Sequence, residues 1–206
     1  MDYSKINKLG AVMKGLQVDK KVNFSVFKAQ EKAHIIENNG KVGFLGHKII
    51  KALAVEKDIK KLEHIMCIKQ DLSKKYKDYS IQNGDIVIPV FPGKDQLDII
   101  FMEDIQAEDC VYNDSNLIIR VTSDKVIPKY LYTILNSSSI RNRILKLCTK
   151  NTRQARITVA MLEQLSIPVV SLEEQEEIIN RYTNAVEQLN QVQNSIEEMV
   201  RGGNAL

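Results

Sequence analysis

The last 36 residues constrain the fold of this 206-residue chain most. Ser171-Leu-Glu-Glu174 reads as a capping box, in which the serine and the glutamate three residues on satisfy each other's backbone N–H groups at a helix start. Beyond it the apolar positions are Ile178, Tyr182, Ala185, Leu189, Val192, Ile196 and Met199, spaced 4, 3, 4, 3, 4 and 3 residues apart. This is the heptad pattern of a coiled-coil seam, running unbroken until Gly202-Gly203 ends it. A helix of about 28 residues is about 42 Å long, more than a compact domain of this size buries along one flank. The stripe predicts dimerisation with the same helix of a second copy. The alternative is a helix folded back on its own domain.

The preceding residues, 1–170, read as an α+β domain, so the chain is one domain plus a helical appendage over 171–203. Val22, Phe24 and Val26 alternate as a strand does, and Ala33 to Ile36 suggests another. The Gly40–Gly46 stretch reads as a turn leading into a helix. From His47 to Met66 the apolar spacing is helical, giving one helix or a broken pair. Asn83-Gly84 is turn chemistry feeding a strand over 86–91, with further strands at Leu97–Met102 and Leu117–Val121. Pro89 within a strand points to an edge or a bulge. Together these predict a twisted, mixed or antiparallel sheet with packed helices. Pro128 opens a helix, Ser137–Ser139 interrupt it, and a second follows. Short elements then lead to Ser171. Residues 29–75 carry no pattern that assigns them a role.

Motifs for catalysis are missing. The four prolines precede Val90, Gly93, Lys129 and Val169, so there is no Asn-Pro-Pro-Tyr loop of an amino-methyltransferase and no Pro-Asp of a nuclease triad. No Glu has Lys two residues later, no G-x-S-x-G occurs, and His34, His47 and His64 lack helical i, i+4 spacing. Gly40-Lys-Val-Gly43-Phe-Leu-Gly46-His-Lys48 has the wrong spacing for a phosphate loop and no hydroxyl after its lysine. Cys67, Cys110 and Cys148 are too far apart for a metal pair and odd in number. The chain is expected to be no enzyme and to need no cofactor or metal. No apolar run nears the roughly 18 residues of a membrane span, and MDYSKINKLG lacks a signal peptide's apolar stretch. A cytoplasmic protein without membrane contact is expected.

The net charge of +3 hides four blocks: +8 over residues 1–80, −5 over 81–136, +5 over 137–172 and −5 over 173–206. Basic and acidic blocks on one molecule suggest one side facing a polyanion and another facing a different partner. Four of the seven arginines, Arg141, Arg143, Arg153 and Arg156, fall within 16 residues. Arginine's fork binds guanine O6 and N7, or phosphate, and Asn and Gln pair with adenine. The loop Lys150, Asn151, Thr152, Arg153, Gln154 and Arg156 therefore mixes phosphate donors with residues able to read bases; a merely solvated basic loop is the alternative. Lys94, beside Pro92-Gly93, is a further DNA-binding candidate.

The order of motifs over residues 79–201 resembles a known family. It runs Tyr79-Ser-Ile-Gln-Asn-Gly84-Asp85-Ile86, Leu117-Ile-Ile-Arg120-Val121, Ile127-Pro128-Lys-Tyr130-Leu131, Met161-Leu-Glu-Gln-Leu165-Ser-Ile167-Pro168 and Leu172-Glu-Glu-Gln175-Glu-Glu-Ile178. A weaker echo sits at Lys8-Leu9-Gly10. Together they resemble one target recognition domain and one spacer helix of the specificity (S) subunit of type I restriction-modification systems. One departure is the absence of a second proline soon after Ile167-Pro168, where Val169-Val170-Ser171 stands.

The resemblance implies a protein that makes and breaks no covalent bond. Such a subunit reads double-stranded DNA and holds methyltransferase (modification) subunits, in some systems with a restriction subunit, on the site. A full S subunit has two recognition domains separated by two antiparallel helices and reads a bipartite sequence. One of each here looks like a half-subunit that pairs with a second copy. Two other readings stay open from the residues alone. One is a dimeric coiled-coil interaction scaffold or transcription regulator. The other is a fragment of a fused methyltransferase-nuclease.

Overall fold

The structure is a computed structural model that describes residues 2–17, 24–28, 41–62, 64–69, 77–93, 96–107, 110–148 and 155–203. In chain order its elements are β1 (Asp2–Lys5), β2 (Gly10–Lys14), β3 (Phe24–Lys28), β4 (Lys41–Leu45), α1 (His47–Glu56), β5 (His64–Lys69), β6 (Ile86–Pro89), β7 (Ile100–Phe101), β8 (Cys110–Tyr112), β9 (Asn116–Val121), α2 (Pro128–Asn136), α3 (Ser138–Leu147), α4 (Val159–Glu163), β10 (Ser166–Val169) and α5 (Leu172–Gly203). The class is α+β, with one long C-terminal helix, as the sequence predicts. The strand expected at Ala33–Ile36 lies outside the described residues.

The strands form three sheets. An antiparallel sheet has the order β2-β9-β6-β7; a mixed sheet has the order β3-β5-β4-β8, with β4 and β8 parallel; and β1 pairs with β10. The central strands β6 and β9 are buried on both faces, which is why they read as unbroken apolar runs. Ile86, Ile88, Leu117 and Ile119 join Tyr130 and Leu131 of α2, Ile144 of α3 and Leu162 of α4 in one core. The intervening Val87 and Ile118 face a second core with Leu45, Tyr112, and Ile50 and Leu53 of α1. Pro89 takes the last rung, against Asn116, past the two rungs that β7 makes with Ile86 and Val87. Its missing N–H therefore falls at the margin of the sheet.

Three local expectations differ from the structure. The helical spacing over His47–Met66 covers a helix only to Glu56. Lys57 adopts a left-handed conformation (φ 62°) and donates its N–H to the Leu53 carbonyl, closing the helix. Ile59 and Leu62 are then buried from a 3-10 turn, while Ile65 and Met66 belong to β5, hydrogen-bonded between β3 and β4. The run Leu97–Met102 is strand only at Ile100–Phe101, and the Gly-rich turn before α1 contains β4. Gly10 in β2 lies so close to the carbonyl of Arg120 that a Cβ would collide with it, which gives the Lys8-Leu9-Gly10 echo a packing reason.

Candidate nucleic-acid interface

The turn before β6 is built around a buried ion pair. Gly84 supplies the positive φ (88°) that the turn requires. Asp85 behind it is fully buried and meets Arg120 of β9 twice, Nε to Oδ1 at 2.7 Å and Nη2 to Oδ2 at 2.8 Å. Asp85 Oδ2 also accepts from the Tyr112 hydroxyl (2.9 Å) and the Gln82 N–H (3.0 Å). Arg120 donates further to the carbonyls of Ser80 and Asp78. Burial, and then the neighbouring Asp85 charge, push the Tyr112 hydroxyl well above the usual range. Burial alone would lower the Arg120 guanidinium, but the hydrogen bond and charge of Asp85 outweigh it and raise it. The cluster ties the Gly-Asp-Ile turn to β8 through Tyr112 and to β9 through Arg120, and is structural rather than a contact surface.

The other end of β6 carries the basic candidates. Ile157 donates its N–H to the Val90 carbonyl (2.9 Å), drawing the segment after the basic loop against the end of β6. There the Arg156 guanidinium lies over the Phe91 ring, 6.0 Å from its centroid, and Phe91 is 48% exposed. The turn Pro92-Gly93 that leads to Lys94 therefore opens beside Arg156. Lys94, Lys150, Asn151, Thr152, Arg153 and Gln154 lie outside the described residues. Arg141 Nη2 donates to the Leu97 carbonyl (2.8 Å), so this arginine braces the chain after Lys94 from α3. Arg143 is exposed, with a long contact to the Ser166 carbonyl (3.4 Å). Phe91 is the residue that sequence reasoning missed; an aromatic directly before a Pro-Gly turn is its only signal.

The long helix is rooted by Gln175, which is fully buried. Its Oε1 accepts from the Ile127 N–H (2.9 Å), and its Nε2 donates to the carbonyls of Lys125 (2.8 Å) and Val170 (2.9 Å). The capping box forms as read: Glu174 N–H to Ser171 Oγ at 3.3 Å and Ser171 N–H to Glu174 Oε2 at 3.2 Å. The seam then divides. Ile178 is half-buried against the body, and Tyr182 packs edge-on to Tyr132 while its hydroxyl accepts from Asn136 Nδ2 (2.8 Å). Ala185 is exposed, and Leu189, Val192, Ile196 and Met199 are 57%, 56%, 52% and 69% exposed. The helix spans 32 residues, about 48 Å, and the large apolar side chains of its distal half stand exposed among the described residues.

His47 opens α1 in a half-buried site. Its Nδ1 lies 3.1 Å from Asn116 Oδ1, and Nε2 is buried with no partner among the described residues. The Asn116 amide nitrogen donates to the Leu45 carbonyl, so Nδ1 is the donor to Oδ1. Burial lowers the imidazole from its ordinary value. Among the described residues no group of three or more His, Cys, Asp or Glu could hold a metal ion, and no helix is long and apolar enough to cross a membrane.

Comparison with known proteins places these features. Residues 23–198 match the family model described as the type I restriction modification DNA specificity domain. Over 142 residues the chain is 25% identical to the protein described as the MjaX type I restriction enzyme specificity subunit of Methanocaldococcus jannaschii, covering 69% of this chain and 33% of that one. The fold is similar to the HsdS subunit of Thermoanaerobacter tengcongensis (TM-score 0.59, 13% identity, 93% of this chain and 43% of that chain). It is also similar to the S subunit of a type I system from M. genitalium (TM-score 0.53, 17% identity, 95% of this chain and 41% of that chain). The chain thus spans a third to about two fifths of the length of these relatives.

Proposed function

Because the chain belongs to the type I restriction-modification DNA specificity family, we propose that it is a non-catalytic DNA-recognition module that works as a two-fold dimer. Residues 1–170 form the target recognition domain, and residues 171–203 form the spacer and dimerisation helix. Arg156 over Phe91 marks the DNA-facing edge, with Lys94 and the loop Lys150–Gln154 flanking it. Arg143 contributes phosphate attraction, and Arg141 holds the edge in shape. The chain brings methyltransferase subunits, and a restriction subunit where a system has one, to the site.

The observation that carries this reading is the exposed distal seam. Four large apolar side chains, Leu189, Val192, Ile196 and Met199, stand more than half exposed on one stripe of a helix that extends away from the body. Patches of this kind mark protein contacts. An antiparallel copy covers them and sets two recognition domains at opposite ends, which by symmetry read two identical inverted half-sites with an unread spacer. Co-purification from the native host, followed by mapping of methylated adenines, tests it. Expected are methyltransferase subunits in the complex and an inverted, bipartite methylated motif that vanishes when the gene is deleted. A complex without a methyltransferase, and an unchanged methylation map, would contradict the proposal.

A further inference from the structure

Resting on that helix pairing, we infer that the groove between α1 and α5 is the seat for the tip of the second copy's helix, with Val200 as its occupant. The groove has a volume of about 370 Å³ and lies where α5 leaves the body. Ala54 and Val55 of α1 form one wall, Tyr132 of α2 the floor, and Tyr182 and Val186 of α5 the other wall. Val55 is 75% exposed on a helix whose Ile50 and Leu53 are fully buried, and Val186 is 37% exposed.

The groove continues the seam. In the heptad that places Tyr182, Leu189 and Ile196 at a and Ile178, Ala185, Val192 and Met199 at d, the positions Ile179, Val186 and Val200 all fall at e. The apolar stripe therefore widens on one flank only. At the root of the helix that flank is the one facing the body: Ile179 packs on the core and Val186 lines the groove. At the tip, Val200 is 60% exposed among the described residues.

An antiparallel pair related by a two-fold axis keeps the e positions of both helices on the same side of the seam. Setting each a opposite a d of the partner puts Leu189 against Val192, Tyr182 against Met199, and the large Ile196 against the small Ala185. In that register Val200 comes level with the stretch between Ile179 and Val186, at the mouth of the groove. A parallel pair would leave Val200 beside Val200, about 21 Å along the helix from Val186. The same distance keeps Val200 from the groove of its own chain.

The test uses the full chain with Val55→Cys and Val200→Cys together, treated with a short bismaleimide. Besides the buried Cys110 and Cys148 the chain carries Cys67, so the wild type and each single variant serve as controls. The expected result is a covalent dimer from the double variant alone. Val55 is on the surface, so Val55→Lys leaves the fold intact; it should raise the dissociation constant of the dimer at least about tenfold by placing a charge against Val200. A wild type that sediments as a dimer, while the double variant does not cross-link and Val55→Lys associates normally, would overturn the groove assignment and leave the helix pairing standing. A monomeric wild type would overturn the pairing itself, and the groove assignment with it.

Discussion

The side chain of Gln175 accepts the N–H of Ile127 at 2.9 Å, across 48 residues of sequence, and this one contact fixes the long helix to the loop that starts α2. The N–H of Ile127 is free to be captured because the following Pro128 begins the helix and Ile127 itself stays extended, with φ −74° and ψ 129°. The Gln175 amide then closes the arrangement through the carbonyls of Lys125 and Val170. Two weak sequence signals, Ile-Pro before a helix and Glu-Glu-Gln at the start of another, are thus the two halves of one joint.

Gln175→Ala should cost about 2 kcal/mol, because it removes a buried side chain and leaves a part-buried donor and two part-buried carbonyls without it. Gln175→Glu should be no better. It keeps an acceptor for Ile127 but turns an oxygen toward the carbonyls of Lys125 and Val170. Urea unfolding of both variants checks this; a loss under about 0.5 kcal/mol in either would mean that the joint is not what anchors the helix.

The Asp85–Arg120 pair makes a second prediction. Asp85→Asn should destabilise by about 3 kcal/mol, since it leaves a guanidinium with 17% of its side chain exposed facing a neutral amide. The figure lies at the low end for buried pairs because Arg120 keeps the carbonyls of Ser80 and Asp78. Adding Arg120→Met to Asp85→Asn should recover part of the loss, because the amide oxygen still accepts from the Tyr112 hydroxyl and the Gln82 N–H, and a double-mutant unfolding cycle would measure it.

How much of this was legible beforehand varied with the physical origin of each feature. The long helix α5 and its capping box were readable because both are local patterns with fixed spacing, and the buried strands β6 and β9 were readable as apolar runs bounded by turn residues. β5 was not. Ile59, Leu62, Ile65 and Met66 keep helical spacing by coincidence, and the left-handed Lys57 and the pairing with β3 and β4 that override it are contacts distant in sequence. The charge pattern located a basic region. It could not separate Arg141, which braces Leu97, from Arg156, which stays exposed over Phe91. Nor could it tell that Ile178 and Tyr182 are already half-covered by their own body.

His47 predicts a pH dependence of stability. Its folded-state value lies below the ordinary 6.5, through burial, with Asn116 and Asp98 opposing the shift and Lys51 adding to it. As pH falls through about 6.5, the unfolded chain takes up the proton and the folded chain does not until lower pH. Stability should therefore decline from that point down to the folded-state value, and level off below it. His47→Gln should remove this component of the slope. Thermal unfolding of the two proteins across pH 5 to 8 checks it, and identical slopes would show that the imidazole does not contribute.

At the edge proposed to face DNA, Arg156→Ala should lower discrimination between target and non-target duplexes by about 1–3 kcal/mol if the guanidinium reads a base. If it touches phosphate alone, all sequences should weaken alike and the salt dependence should lose about one unit of slope. Arg153→Ala is tested beside it. Binding and salt dependence unchanged in both variants would remove this edge from the interface.

The central claim is that two copies pair through α5 to present two recognition domains, and sedimentation equilibrium of the wild type beside Leu189→Asp tests it most directly. Leu189 lies in the middle of the exposed seam, so the substitution sets unpaired carboxylates into the interface of both copies at a cost of several kcal/mol. Expected is a wild-type dimer at concentrations on the order of tens of micromolar, where a pairing of micromolar affinity is populated. Also expected is a folded, monomeric Leu189→Asp that keeps weak, salt-sensitive affinity for a half-site and loses tight binding to the bipartite site. A monomeric wild type, or a Leu189→Asp variant that remains dimeric, would contradict it.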